Sequence, residues 1–412
     1  MRVSVLTLGC KVNQAESACI EGNLVEHGHS IVSLSEHPDY CIINTCSVTA
    51  KSDYQSRQLI RRAVRSGAKV MVTGCYSQLR PDEIRKIESR IDIIPNSDKL
   101  HIINILSNNK KSSASCFSGR SRPYLKIQDG CSFACTYCIV PKARGKSRSL
   151  SVGEILERAY QLESLGYNEI VLTGIHLGSY GRDIIPQVKL ADIIATLLRK
   201  TTIHRIRLSS LELNEIDGQM IDLLSEDRIC KHLHVPLQSG DDAILKSMNR
   251  MYRAGDYMRV TESLLGSVPG IALGTDVIVG FPGEGEKEFL STENLLTALP
   301  FSYFHIFPFS PRPDTPASKM ENRVPDTVKK ERCRRLSALN ISKKFQHMSS
   351  QINKVVDVIV EERLDDQTVI GTSGNYLKIK FSSNRCPRKS LVYVRAAGID
   401  GDLINGIPIE KL

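Results

Sequence analysis

Six of the twelve cysteines in this 412-residue chain stand where their thiols could do chemistry. Cys131, Cys135 and Cys138, in DGCSFACTYCIVPKARG (129–145), make a C-x-x-x-C-x-x-C set with Tyr137 before the last thiol and a basic run behind it. Structural zinc takes four protein ligands, and here neither a second cysteine pair nor a nearby His-x-x-x-His completes them. A cubane 4Fe–4S cluster has four irons, so three thiolates leave one iron open to a small molecule. The spacing favours iron–sulfur over zinc, and the open iron is a place to chelate and activate a cofactor.

A second set is dispersed. RVSVLTLGC (2–10), YCIINTC (40–46) and KVMVTGC (69–75) are each a short β-rich apolar run ending in cysteine, and helix-like stretches separate them. Strand–helix–strand alternation predicts a parallel sheet with right-handed crossovers, whose strand carboxyl ends share one edge. Cys10, Cys46 and Cys75 lie 36 and 29 positions apart, yet this topology gathers them into a second three-thiol metal site. Cys19, Cys41, Cys116, Cys230, Cys333 and Cys386 read as buried thiols packing as small hydrophobes.

The elements that must position these groups follow from the same alternation. The expected fold is an α/β multidomain chain. An open parallel α/β domain spans 1–105, and the Ser-rich stretch 106–118 has linker composition. A partial (β/α)6 barrel spans 119–347, with strands in YLKIQDG, EIVLTGI, RIRLSS, HLHVPLQ, ALGTDVIVGF and YFHIFPF. The first thiol motif follows the first of these strands, where such barrels place chemistry. Residues 348–412 alternate with Gly and Asn/Asp turns, which predicts a small antiparallel β-barrel. It reads as a separable module whose loss would spare chemistry at the first thiol motif.

At 41% hydrophobic and 24% charged the chain can bury sizeable cores. It has no apolar run near the roughly 18 residues that span a membrane. Its start meets Asn and Glu too early for a secretory signal, so a cytoplasmic protein is expected, where clustered cysteines ligate metal or react and do not form disulfides. The net charge is +10. Residues 110–148 carry nine Lys/Arg against Asp129 alone, and 319–345 carry nine against Glu321, Asp326 and Glu331. Two such runs point to a polyanionic partner, most readily a nucleic acid.

The C-x-x-x-C-x-x-C motif closing the first strand of a βα barrel resembles the radical S-adenosylmethionine enzymes. The resemblance implies that the open iron binds S-adenosylmethionine, whose reductive cleavage yields a carbon radical. TLGCKVNQAES, INTCSVT, TGCYSQ, GCSFACTYCIVPKARGKSRS, LTGIHLG, HVPLQSG and TDVIVGFPGE extend it across the chain to the methylthiotransferases. LGCKVNQ and PKARGKSRS are most similar to the branch that modifies N6-threonylcarbamoyladenosine beside the tRNA anticodon. Ala15 and Lys142 depart from that branch's usual aromatic residues.

That family implies two 4Fe–4S clusters: one on Cys131, Cys135 and Cys138 with S-adenosylmethionine, and a sulfur-supplying one on Cys10, Cys46 and Cys75. It implies that Tyr137, Thr173 and Gly174 lie along S-adenosylmethionine, and that Ser209, Gln238 and Asp276 end later strands facing the pocket. Beyond the cluster ligands no catalytic side chain is expected. Arg144, Lys146 and Arg148 are expected to meet tRNA phosphate, and the tail to be an RNA-binding TRAM domain, OB-like in plan. An electron donor such as flavodoxin or ferredoxin, a sulfur source and no membrane complete the expected partners. The competing readings are methylthiolation of isopentenyl-adenosine or of a ribosomal-protein aspartate, and a non-catalytic RNA-binding iron–sulfur protein.

Overall fold

The computed structural model describes residues 1–99, 102–106 and 119–409. Cys116 and all but the first residue of the expected linker lie outside these. Five parallel strands form the first sheet, in the order Ser30–Ile31, Arg2–Thr7, Tyr40–Thr45, Lys69–Gly74, Asp92–Ile93. The three cysteine-terminated runs are therefore its three central strands. Their residues alternate between two apolar layers. Val3, Ile42 and Met71 pack against Ile20, Leu24 and Ile102, while Cys41, Ile43 and Val72 pack against Ile60, Ala63 and Tyr76. Helices thus cover both faces, as a parallel sheet requires. Each fully buried Ile or Leu contributes roughly 1.5–3 kcal/mol. Cys41 is one of these core side chains, whereas Cys19 on the helix Lys11–Glu26 is half-buried and disulfide-bonded, against the expectation of a free thiol.

The six strands expected of the central domain occur in the expected order but divide into two parallel halves. Tyr124–Lys126, Glu169–Thr173 and Arg205–Leu208 form one, and His232–His234, Ala272–Val279 and Tyr303–Pro308 the other. The seam falls beside His232–His234, a strand of three residues that Pro236 helps cut short by removing a ladder donor. An isolated bridge at Ile206, with Ile206 N bonded to Arg228 O at 2.8 Å and Cys230 N to Ile206 O at 3.0 Å, and a bond from Leu211 N to His234 O at 3.0 Å cross it. One continuous apolar core underlies both halves.

The tail is a closed barrel of Val355–Arg363, Thr368–Ser373, Lys378–Ser382, Leu391–Asp400 and Leu403–Ile409. It is not wholly antiparallel, because Lys378–Ser382 pairs parallel with Leu403–Ile409. A ring with an odd number of strands cannot alternate direction throughout, so closure forces one parallel pair. The expected boundary at 347/348 falls in the last turn of the helix Asp326–Ser349, and Met348 is buried in the tail's core.

The tail is also docked on the central domain. Arg207 Nη2 and Nη1 donate to Ser373 O and Gly374 O at 2.9 and 3.1 Å, and Arg205 Nη1 pairs with Asp357 at 2.8 Å. Tyr376 stacks on His232 with ring centroids 4.3 Å apart. The turn at 373–377 therefore packs against the first-layer side chains of the central strands. Glu169 neutralises that layer, accepting from Arg207 Nε at 2.8 Å, from Arg122 at 3.5 Å and from Arg205. Burial opposes its ionisation, but these three guanidinium groups hold its carboxyl well below the usual range.

Because a depressed folded-state pKa favours the native state above the unfolded pKa, this contribution is intact above about pH 4.5 and fades as pH falls further. Glu169→Gln is expected to destabilise the protein by roughly 3–5 kcal/mol, since it strands buried guanidinium groups. It should also flatten the acid limb of stability measured by urea unfolding between about pH 3 and 6. An acid limb as steep as that of the unaltered chain would show that Glu169 is not the group responsible.

Candidate functional site

In the first sheet the strand ends are level, with Thr7 opposite Asn44 and Thr45 opposite Gly74. Cys46 and Cys75 each follow that last pair by one residue, and Cys10 follows Thr7 by three. Two glycines permit the close approach. Gly9 has φ +101° and a Cβ there would lie 2.9 Å from Cys46 Sγ; Gly74 has φ +100° and its Cβ would strike Thr45 O at 2.3 Å. Asn13 Nδ2 fastens the corner, donating to Leu8 O at 2.7 Å and Thr45 O at 3.0 Å. Burial pushes the Cys46 thiol up and the Cys75 thiol up to about 11, and the neighbouring thiols add to both. A metal bound there would have to offset the desolvation of the charged thiolates.

The other triad lies on a loop that folds over itself. Cys131 N donates to Gly145 O at 3.0 Å, and Gly130, with φ +70°, passes so near that a Cβ would lie 2.1 Å from Lys146 O. Buried Gln128 braces the crossing, donating to Asp129 O, Gly130 O and Ser147 Oγ at 2.9, 2.7 and 2.9 Å and accepting from His176 N at 2.9 Å. His176 Nδ1 lies 3.7 Å from Cys131 Sγ and its Nε2 lies 2.6 Å from Glu215. Burial favours neutral imidazole, but the contacts with Cys131 and Glu215 outweigh it and raise His176 to about 9. Arg250 Nη1 donates to Cys135 Sγ at 3.5 Å while pairing with Glu212. Burial pushes Cys138 up to about 12.

All six thiols are free. Two cationic donors aimed at the 131 and 135 sulfurs suit an anionic cluster–thiolate set. Among the described residues only His234, Asp276 and His305 bring three ligand atoms within 4.8 Å of one another. Both triads are therefore spread wider than the roughly 3.8 Å between sulfurs of a tetrahedral zinc site. His176, Arg250 and Gln128 escaped the sequence reading, although His176 lies inside LTGIHLG.

The remaining expected residues divide. Tyr137 packs edge-on to Phe281, centroids 6.5 Å apart, and burial raises its hydroxyl pKa well above normal. Thr173 ends its strand, buried, and its carbonyl accepts from Ile127 N at 3.0 Å. Gly174 abuts Gln128, whose Oε1 would lie 2.7 Å from an added Cβ. Ser209 is buried just past Arg205–Leu208, and Gln238, at φ +65°, donates its backbone N–H to Asp276 O at 2.8 Å. Asp276 differs from expectation. It sits within Ala272–Val279, not at its end, and accepts from His234 Nε2 at 2.9 Å and His305 Nδ1 at 3.1 Å. Lys11, next to Cys10, is pushed down to about 8 by burial and by Arg207 and Arg122.

Arg144 overturns its expected role. It is 4% exposed and inserts between the first two domains. There it pairs with Glu16 through Nη1 at 3.0 Å and Nη2 at 3.2 Å, pairs with Asp129 at 2.8 Å, and donates to Asn13. Lys99 and Lys126 reach the same Glu16 at 2.6 and 2.7 Å. Burial opposes ionisation of Glu16, yet Lys99, Lys126 and Arg144 hold it well below the ordinary carboxylate range. As a result the short helix Cys75–Leu79 packs against Val140–Arg144, which follows Cys138.

Arg148 is exposed, with a loose 3.7 Å contact to Asp129, and Lys146 is exposed without an ion pair among the described residues. Much of the second basic run is also internally paired, with Arg332 on Glu284 and Arg335 on Glu286 and Glu293.

Comparison with known proteins places the chain in a family. The model of the radical SAM superfamily matches residues 125–296, and that of the uncharacterized protein family UPF0004 matches residues 2–95. The threonylcarbamoyladenosine tRNA methylthiotransferase MtaB of Bacillus subtilis is 39% identical over 406 residues, covering 92% of this chain and 90% of its own. Its Aquifex aeolicus counterpart is 36% identical, covering 92% and 96%. The chain belongs to the radical S-adenosylmethionine methylthiotransferases. A tRNA-2-methylthio-N(6)-dimethylallyladenosine synthase of Alkaliphilus oremlandii is 30% identical, covering 99% and 92%.

The solved radical S-adenosylmethionine methyltransferase TsrM of Kitasatospora setae shares the fold, with TM-score 0.57, 14% identity and 77% of each chain covered. Membership makes the chain a transferase that uses a 4Fe–4S cluster and S-adenosylmethionine. No helix among the described residues is long and apolar enough to cross a membrane.

In this methylthiotransferase Arg144→Gln is expected to cost roughly 3–5 kcal/mol by leaving Glu16 under-neutralised. Lys146→Ala and Arg148→Ala, being exposed, should stay within about 0.5 kcal/mol of the parent. Thermal or denaturant unfolding of the three variants tests the contrast, and equal losses would contradict the buried role given to Arg144.

Proposed function

We propose that the chain adds a methylthio group to C2 of N6-threonylcarbamoyladenosine in tRNA, with the first cluster on Cys131, Cys135 and Cys138 and a second on Cys10, Cys46 and Cys75. The observation that carries this reading is the packing of the helix after Cys75 on the helix after Cys138, which supports two thiol triads opening toward one space. When bound, S-adenosylmethionine on its cluster supplies a carbon radical able to take a hydrogen that no base removes near neutral pH. The chain's part is to hold the thiolates, with His176 and Arg250 stabilising their charge, and to shut water out behind Tyr137 and Phe281.

The adenine must leave the anticodon-loop stack, at a cost of about a few kcal/mol in a single-stranded loop. Exposed Lys142, Lys146 and Arg148 flank the motif, and the tail is read as a TRAM-like RNA-binding module. Flavodoxin or ferredoxin is the expected electron donor, with a separate sulfur source, in the cytoplasm. Relatives named for threonylcarbamoyladenosine at up to 39% identity, against 30% for the dimethylallyl type, favour this acceptor.

Anaerobically reconstituted protein is expected to hold about eight irons. Alanine at Cys131, Cys135 and Cys138 should halve the iron and abolish 5′-deoxyadenosine release, whereas alanine at Cys10, Cys46 and Cys75 should halve the iron and leave release measurable. Full iron in the second variant would remove the second cluster from the reading. Mass spectrometry of nucleosides after reaction with tRNA should show the 2-methylthio product on threonylcarbamoyladenosine. Product on isopentenyl-adenosine alone would reassign the acceptor.

A further inference from the structure

We infer that Lys11 binds the free carboxylate of the acceptor's threonyl group and so selects a charged N6 substituent over a hydrocarbon one. The inference rests on the acceptor proposed above. Threonylcarbamoyl and dimethylallyl adenosines share the ring and the reacting C2, and differ in whether a negative charge hangs from N6. A pocket that takes the first must neutralise a carboxylate as it removes it from water, because an unpaired buried charge costs several kcal/mol.

The cations facing the inside of the central strands can be sorted by what already holds them. Arg205 and Arg207 are committed to Glu169, Asp357 and the carbonyls of the tail turn, and Arg122 to Glu169 and Glu361. Lys126 is committed to Glu16 and Asp129. His234 and His305 both contact the same oxygen of Asp276. Lys11 alone of these has no hydrogen bond and no carboxylate within ion-pairing distance among the described residues.

Its place also suits the task. Lys11 opens the helix Lys11–Glu26 directly after Cys10, so it is the immediate neighbour of the thiol expected to hold the sulfur-supplying cluster. Its ammonium lies in the electrostatic reach of Arg207, Arg122, Asp276 and His232, all side chains of the central strands or their approach. One helical turn on, on the same face, Gln14 presents a buried Oε1 with no hydrogen-bond partner, and His232 Nδ1 is likewise buried and unpartnered.

An ammonium, an amide and an imidazole nitrogen without partners suit a ligand carrying a carboxylate, a hydroxyl and carbamoyl N–H groups. The His234–Asp276–His305 group has the spacing of a cation site, but Lys11 and Arg207 nearby oppose a divalent ion there, and an anion gains from the same field.

The test compares the reconstituted enzyme with Lys11→Gln and Lys11→Arg on two anticodon stem-loop RNAs, one bearing threonylcarbamoyladenosine and the other its methyl ester. The parent enzyme should prefer the acid by about ten- to a hundredfold in kcat/KM, the value of a hydrogen-bonded charge pair. K11Q should lose the preference, acting on acid and ester alike, and K11R should keep most of it. The ratio is read within one protein sample, so partial misfolding cancels. For a variant without turnover the same ratio is read from equilibrium binding. A parent enzyme that treats acid and ester alike, or a K11Q variant that keeps the preference, overturns the inference and leaves the acceptor standing. A parent enzyme that acts on neither but modifies the dimethylallyl nucleoside overturns both.

Discussion

Glu16 is a carboxylate with almost no access to water, and it carries the contact between the two halves of the active region. Its three cationic partners come from three separate places. Lys99 follows the first sheet, Lys126 ends the first strand of the central domain, and Arg144 follows the Cys131–Cys138 loop. A carboxylate buried this deeply is tolerated only when paired and hydrogen-bonded on all sides. The pairing is complete only when the first sheet is docked on the central strands. Docking in that register also sets the Cys75 helix against the Cys138 helix. One electrostatic requirement thereby fixes how the helices that follow the two thiol triads pack.

The opposite end of the central domain uses the same device. Glu169 gathers Arg122, Arg205 and Arg207, and the spare donors of the two later arginines run on to Asp357 and the carbonyls of the tail turn. The tail is consequently bound through groups that have nowhere else to pair.

Between these two buried carboxylates in the chain's design stand the groups that the proposed chemistry would use: the six thiols, His176 and Arg250 aimed at two of the sulfurs, the His234–Asp276–His305 group and the unpartnered Lys11. Desolvation makes each buried charge count for more than it would in water, which is why a single lysine can decide which substituent enters.

The amino-acid sequence by itself determined the elements and the six thiols. Short apolar runs ending in cysteine specify parallel strands, and in a parallel sheet the strand ends share an edge, so Cys10, Cys46 and Cys75 could be grouped from spacing alone. Cys131, Cys135 and Cys138 needed only the local C-x-x-x-C-x-x-C pattern. What sequence could not carry was partnership. Arg144 read as a surface cation because its neighbours in sequence are basic, yet its partners lie 128 and 131 positions away at Glu16 and Asn13. Nothing in the sequence set Glu16 or Lys11 apart from the other charged residues around them. The parallel pair in the tail barrel and the seam between the two central half-sheets were equally hidden, since closure and strand ends depend on how many elements meet. Charge and periodicity are properties of single residues and short windows. Burial, pairing and the absence of a partner are properties of the folded whole, and only the tertiary structure decided them.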